Sequence, residues 1–214
     1  MQIRTYHIES FGCQMNLSDS ERIAAQLDSL ECVSVDQEEQ ADVVILNTCC
    51  VRESAENRIF GRIGALKRLK HKNPECIIII AGCLAQKDQT AIFRRAPHVD
   101  IVLGTQNVDR LAEILQDKQQ HKRQVESQPN AEDGLCDPVG SRRHTGVSAW
   151  IPVMYGCDNF CSYCIVPYVR GRERSRRPEA ILEEAREFAA AGGREVTLLG
   201  QNVNSYGKNL SDSW

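Results

Sequence analysis

The sequence predicts an α/β protein: an open parallel sheet covered by helices, followed by the start of a second βα-layered unit. Three observations carry this. Short runs of β-formers alternate with longer segments whose apolar residues recur at helical spacing, the pattern of strands crossing over through helices. Two of the runs, Asp42 to Thr48 and Cys76 to Gly82, are continuously apolar, as parallel strands covered on both faces should be. A polar stretch carrying Pro129, Gly134, Pro138 and Gly140 then separates this pattern from a second one.

Taken in order, the first strand runs from Gln2 to Glu9 and closes at Ser10-Phe11-Gly12. Ser18 and Glu21 stand at capping-box spacing ahead of Ile23, Ala24, Leu27 and Leu30, so a helix follows. Asp42 to Thr48 leads into a helix over Arg52 to Lys72, striped by Ile59, Ile63 and Leu66. Cys76 to Gly82, with four consecutive isoleucines, makes another buried strand. Val99 to Leu103 is a fourth, ahead of a helix from Val108 to Gln116. The first domain is thus expected over residues 1–118, a linker over 119–147 and a second, incomplete domain over 148–214. In that last part Ala149 to Tyr155 alternates like a strand. Pro178 opens a helix with Ile181, Leu182, Ala185, Phe188 and Ala189 on one face, stopped by Gly192-Gly193, and Glu195 to Leu199 is a further strand. One such unit cannot cover its own strands, so the chain is expected to be the front of a longer protein.

At 214 residues and 42% hydrophobic, the chain can build one or two cored domains. A net charge of −3 gives no global nucleic-acid signal, so any basic surface must be local. Met1 to Phe11 does not read as a secretory leader, and no run of about 18 apolar residues suggests a membrane span. The ten cysteines are therefore expected in a reducing cytoplasm, where metal or sulfur chemistry explains them better than disulfides.

Cys157, Cys161 and Cys164 sit on one loop with three and two residues between them. Three soft ligands so close suit one metal centre and leave a tetrahedral or cubane site one ligand short. A zinc site is usually closed by four ligands, whereas an iron-sulfur cube on three cysteines leaves one iron open. Cys13, Cys49 and Cys83 each fall just past the carboxyl end of a strand, the edge where open α/β sheets bind ligands, so they could converge. Gly12 and Gly82 would let the backbone approach a bulky centre, and helix starts after Cys13 and Cys49 would favour thiolates. Cys32 and Cys76, near strand starts, read as small hydrophobes, and Cys136 as an incidental thiol in the linker. Cys50 points away from its neighbour if the chain is still extended there.

The loop Cys157-x3-Cys161-x2-Cys164, with Tyr163 before the last cysteine, resembles that of the radical S-adenosylmethionine enzymes. Phe11-Gly12-Cys13-Gln14-Met15-Asn16, Asn47-Thr48-Cys49 before Val51-Arg52-Glu53, and Ala81-Gly82-Cys83 resemble the second cluster motif of the methylthiotransferases within that superfamily. Ile165-Val166-Pro167-Tyr168 with Arg170-Gly171-Arg172, and Leu199-Gly200-Gln201-Asn202-Val203-Asn204, resemble the branch acting on isopentenyladenosine in tRNA. Cys50 departs from the pattern as an extra thiol, and the small C-terminal RNA-binding domain that the family carries is not expected within these 214 residues.

The resemblance implies a methylthiotransferase N-terminal domain ahead of a partial radical (β/α) barrel. It implies two 4Fe-4S clusters, on Cys13/Cys49/Cys83 and Cys157/Cys161/Cys164, the latter passing an electron into S-adenosylmethionine and releasing a 5′-deoxyadenosyl radical. The other cluster would carry the sulfur that converts isopentenyladenosine, next to the tRNA anticodon, into its 2-methylthio derivative. Acid-base catalysis alone could not do this, since the C–H replaced is not acidic. Tyr163 is implied near the cofactor adenine and Gly192-Gly193 near its methionine moiety, although Arg194 departs from the usual Gly-Gly-Glu and a helix C-cap also explains the glycines. The tRNA anticodon loop and a flavodoxin or ferredoxin are the implied partners of a monomer without membrane contact. Arg170, Arg172, Arg174, Arg176 and Arg177 against Glu173 alone give a local charge of +4, read as a solvated face or a phosphate contact. Competing readings are the sister enzyme that modifies an aspartate of a ribosomal protein, and a zinc-stabilised RNA-binding module without catalysis.

Overall fold

The computed structural model describes residues 3–51, 53–117, 123–127 and 146–210. Its first half is a six-stranded, all-parallel sheet in the order β2-β1-β3-β4-β5-β6. The strands are β1 (Thr5–Ser10), β2 (Val33–Ser34), β3 (Val43–Thr48), β4 (Ile77–Gly82), β5 (Ile101–Leu103) and β6 (Gln124–Glu126). Between them run α1 (Gln14–Ser29), α2 (Glu53–Lys72), α3 (Cys83–Asp88), α4 (Ala91–Arg95) and α5 (Leu111–Asp117).

The continuous apolar runs explain the centre of this sheet. Every residue of β3 and β4 is buried. Their side chains alternate between two cores: Val44, Leu46, Ile78 and Ile80 meet Ile59, Ile63 and Leu66 of α2 on one face. Val43, Ile45, Ile77 and Ile79 meet Ile23 and Leu27 of α1, with Leu111 and Ile114 of α5, on the other. Each fully buried isoleucine or leucine contributes roughly 1.5–3 kcal/mol relative to exposure, so the two layers hold the sheet against its helices.

Several elements differ from the sequence expectation. Helix α1 begins at Gln14 with Cys13 as its N-cap, so Ser18 is a buried residue inside the helix and not a cap. The capping-box spacing at Ser18 and Glu21 is therefore coincidental. Strands β2 and β6 lie at the sheet edges, too short and polar for an apolar run to reveal them. Within the stretch read as a linker, Gln124 pairs with Ile101 and extends the sheet; Cys136 and most of that stretch lie outside the described residues.

The second half opens with β7 (Ser148–Pro152) and β8 (Met154–Tyr155), continues through α6 (Val166–Arg170), β9 (Arg174–Ser175) and α7 (Pro178–Ala190), and reaches β10 (Glu195–Leu199). The single strand expected over Ala149 to Tyr155 is divided because its partner changes at Val153. Val153 donates its N–H to Leu199 and accepts from Arg176, both at 2.8 Å. Before it β7 pairs parallel with β10, and after it β8 pairs antiparallel with β9. Pro178 opens α7 as expected, and Gly192, at φ +98°, closes it. The N–H groups of Gly193 and Gly192 bond the carbonyls of Phe188 (3.0 Å) and Ala189 (3.1 Å), a Schellman closure. Leu198 on β10 is 52% exposed.

Candidate metal centre

The strand order reverses between β1 and β3, the switch point at which open parallel sheets bind ligands. Cys13 follows β1, Cys49 follows β3 and Cys83 follows the neighbouring β4. All three line one cavity of about 250 Å³. Cys49 and Cys83 are buried and Cys13 is exposed at the rim. Among the described residues no three His, Cys, Asp or Glu side chains stand together as ligands of a single ion, so the thiols share a cavity and not a point.

Glycine and asparagine build this edge. A Cβ on Gly82 (φ +90°) would fall 2.4 Å from Asn47 Oδ1 and from the Thr48 carbonyl, and one on Gly12 would strike Cys49. Both glycines therefore make room for the end of β3, whereas the sequence suggested room for the centre itself. Behind them, Asn16 Nδ2 donates to the Thr48 carbonyl (2.9 Å), and Asn47 Nδ2 to the Asn16 carbonyl (2.7 Å) and Ser20 Oγ (2.9 Å). These buried bonds fasten the start of α1 to the end of β3 and fix the backbone around Cys13 and Cys49. Asparagines beside cysteines in Cys-Gln-Met-Asn and Asn-Thr-Cys were the available signal for them.

The thiols differ electrostatically. Burial pushes Cys49 up, only partly opposed by the bond from the Val51 N–H. The thiolate expected there from a helix start is not favoured, because α2 begins four residues later, at Glu53. Cys83 moves the other way. The neighbouring Cys50 thiol lowers it, and Arg170 adds to the lowering while burial opposes. Cys50 is raised correspondingly, chiefly by the neighbouring Cys83 and by burial. It does not line the cavity and belongs to the buried core that also holds Ile59 and Ile80.

The second set lies on the loop after β8. Cys157 is buried, Cys164 half-buried and Cys161 exposed. Gly156, at φ +74°, lets the loop pass the carbonyl of Arg172, which a Cβ would approach to 2.0 Å. The Cys157 N–H donates to Gly171 (3.2 Å) and that of Cys164 to Cys161 (2.9 Å). Asp158 braces the loop against Arg172 at 2.8 Å, a pairing that holds its carboxyl below the usual range. Tyr163 is 90% exposed, so it fills no core. Cys32 and Cys76 are buried in the two apolar layers, away from both sets.

Residues that follow the second loop reach the cavity of the first set. Ile165, Val169 and Arg170, just after the loop, and Gly200-Gln201 after β10 form the far wall of the cavity. Arg170 Nη1 lies 2.7 Å from Asp19 Oδ2, Thr105 Oγ1 donates to the Val169 carbonyl, and the Arg22 guanidinium stands 5.4 Å over the Tyr155 ring. The arginine run is accordingly not one surface patch. Arg170 and Arg176 are buried, the latter paired with Glu184 at 2.6 Å, while Arg172 is exposed.

Comparison with known proteins gives the same division. Residues 5–104 match UPF0004, described as an uncharacterized protein family, and residues 151–212 match the Radical SAM superfamily. The chain therefore carries a UPF0004 domain followed by a radical S-adenosylmethionine region. It is 50% identical over 213 residues to the tRNA-2-methylthio-N(6)-dimethylallyladenosine synthase of Carboxydothermus hydrogenoformans, which covers 98% of this chain and 48% of the relative. The same-named protein of Caldicellulosiruptor saccharolyticus is 50% identical over 211 residues, 98% of this chain and 45% of the relative. The chain spans about half the length of these curated relatives. Among solved structures, the radical S-adenosylmethionine methyltransferase TsrM of Kitasatospora setae, bound to tryptophan and a SAM analog, shares the fold with a TM-score of 0.59. That likeness covers 94% of this chain and 48% of that one at 14% identity.

Proposed function

We propose that the protein methylthiolates isopentenyladenosine next to the anticodon of tRNA, giving the 2-methylthio derivative, with S-adenosylmethionine and two 4Fe-4S clusters. The observation that carries this reading is the shared cavity: three thiols from three strand ends face a wall built by the residues directly after a second three-thiol loop. The donor sets fit the clusters, since each offers three soft thiols and leaves a fourth position open. Cys13, Cys49 and Cys83 would hold one cluster, and Cys157, Cys161 and Cys164 the other. When bound, these groups supply one-electron chemistry at the loop and a sulfur donor at the sheet edge.

The chain's own residues do the positioning. Asn16 and Asn47 lock the strand ends that present Cys13 and Cys49. Tyr163, exposed beside Cys164, is available to stack on the adenine of the cofactor, and Gly192, with open space where a side chain would stand, to meet its methionine end. The anticodon loop of tRNA and a flavodoxin or ferredoxin are the partners of this reading, with a cytoplasmic monomer as the working form. No helix among the described residues is long and apolar enough to cross a membrane.

The test is anaerobic reconstitution of the full-length protein, incubation with tRNA bearing isopentenyladenosine, S-adenosylmethionine and a reductant, and mass spectrometry of the nucleosides. A 2-methylthio product that disappears when Cys157, Cys161 and Cys164 become alanine supports the reading. Unmodified tRNA, with modification of a ribosomal-protein aspartate in its place, would overturn it.

A further inference from the structure

Arg170 follows Cys164 by six residues in the second half, yet its side chain is buried against the first, 5% exposed. Its Nη1 lies 2.7 Å from Asp19 Oδ2, and its Nη2 donates to Asn16 Oδ1 at 3.1 Å. That same oxygen accepts the Cys13 S–H at 3.6 Å. The guanidinium also lines the cavity of Cys13, Cys49 and Cys83. Asp19 is itself 1% exposed and has Arg22 at 3.5 Å, but Arg22 is engaged by Asp109 through both Nε and Nη2. Asp19 and Arg170 are therefore each other's main counterion, and the arginine end of the pair lines the cavity of the three thiols.

A pair that only fastened the two halves together could sit anywhere along their contact. This one sits where three thiolates would concentrate negative charge, and both of its members are buried, so that their charges are little screened by water. We propose that Arg170 is a positioning residue for the Cys13/Cys49/Cys83 centre: its fixed positive charge offsets those thiolates and raises the reduction potential of the cluster they hold, while Asp19 limits the rise. Arginine suits the task because its planar fork reaches a carboxylate and a second acceptor together and stays charged. Net charge near an iron-sulfur cluster and hydrogen bonds to its sulfurs are the quantities that set its potential. The inference rests on the reading of these cysteines as cluster ligands.

The experiment uses the full-length protein with Cys157, Cys161 and Cys164 changed to alanine, so that one cluster remains, and follows its reduction potential by spectroscopically monitored redox titration. Arg170→Gln and Asp19→Asn break the same ion pair but remove charges of opposite sign. Arg170→Gln should lower the potential, and Asp19→Asn should raise it; a staple alone would move both the same way. Arg170→Lys, which keeps the charge, should stay closer to the parent than Arg170→Gln. Should Arg170→Gln fail to fold, the rise in Asp19→Asn must still appear. Iron bound with potentials unmoved, or moved in one direction by both variants, would overturn the role of Arg170. A parent that binds no iron in this background would instead overturn the cluster reading beneath it.

Discussion

A methyl group on Gly12 would lie 2.5 Å from the Cβ of Cys49, so the turn after β1 and the end of β3 touch where no side chain fits. Gly12 also holds φ +115°, a conformation that L side chains rarely adopt. Gly12→Ala should cost about 2–4 kcal/mol through overpacking and backbone strain together. With Cys49 in the proposed ligand set, it should also reduce the iron taken up on reconstitution, because relief of the clash moves Cys49. Urea denaturation and iron analysis after reconstitution check both, and an unchanged midpoint with full iron would mean that the turn yields freely.

Asn47 makes a similar argument through hydrogen bonds. Its side chain, 0% exposed, serves the Asn16 carbonyl and Ser20 at the root of α1. Asn47→Ala removes this donor from the buried Asn16 carbonyl, at about 1–3 kcal/mol, whereas the half-buried Ser20 keeps its bond to Ser10. Asn47→Asp keeps the shape but replaces a donor by an acceptor facing the Asn16 carbonyl, so it should be no better than alanine. Thermal unfolding distinguishes the outcomes; a milder effect for aspartate would place the importance of Asn47 in packing.

What local pattern encodes was legible beforehand. Four isoleucines in a row can hardly be anything but a buried strand here, and the positions of Cys13, Cys49 and Cys83 at strand ends followed from parallel topology. Helices of five or six residues, such as α3 and α6, complete too few turns to show a stripe, and edge strands of two or three residues have no apolar run. The partnership of Arg170 with Asp19 and Asn16 spans most of the chain, so nothing nearby in sequence announces it. Counting charges in the arginine run hid the fact that two of its members face inward.

Cys50 supplies a cleaner test of the site. It is buried in the core beside Cys83 and does not line the cavity, while Cys49 does. Cys50→Ala should therefore keep the iron and sulfide of the sheet-edge cluster and lose only about 1 kcal/mol of stability. Cys49→Ala should lose that cluster. Iron and sulfide content measured with the loop cysteines replaced by alanine decides it. Loss of iron in Cys50→Ala would make Cys50 a ligand and displace Cys49 from the set.

The arginines after the loop should separate by burial. Arg176 is 2% exposed, donates to the Pro152 carbonyl at 2.8 Å and pairs with Glu184 at 2.6 Å; Arg172 pairs with Asp158 in the open. Arg176→Ala leaves a buried carboxylate without this partner and should destabilise the protein by about 3–5 kcal/mol, whereas an exposed pair such as Arg172–Asp158 is worth about 0–1 kcal/mol. If Arg172 contacts tRNA phosphates, Arg172→Ala should instead weaken tRNA binding and flatten its dependence on salt, since each lost phosphate contact releases fewer counterions. Melting temperatures and tRNA titrations at several salt concentrations read the two effects independently. Equal melting losses in both variants would mean that burial does not separate these arginines. An unchanged salt slope in Arg172→Ala would remove it from the RNA-facing surface.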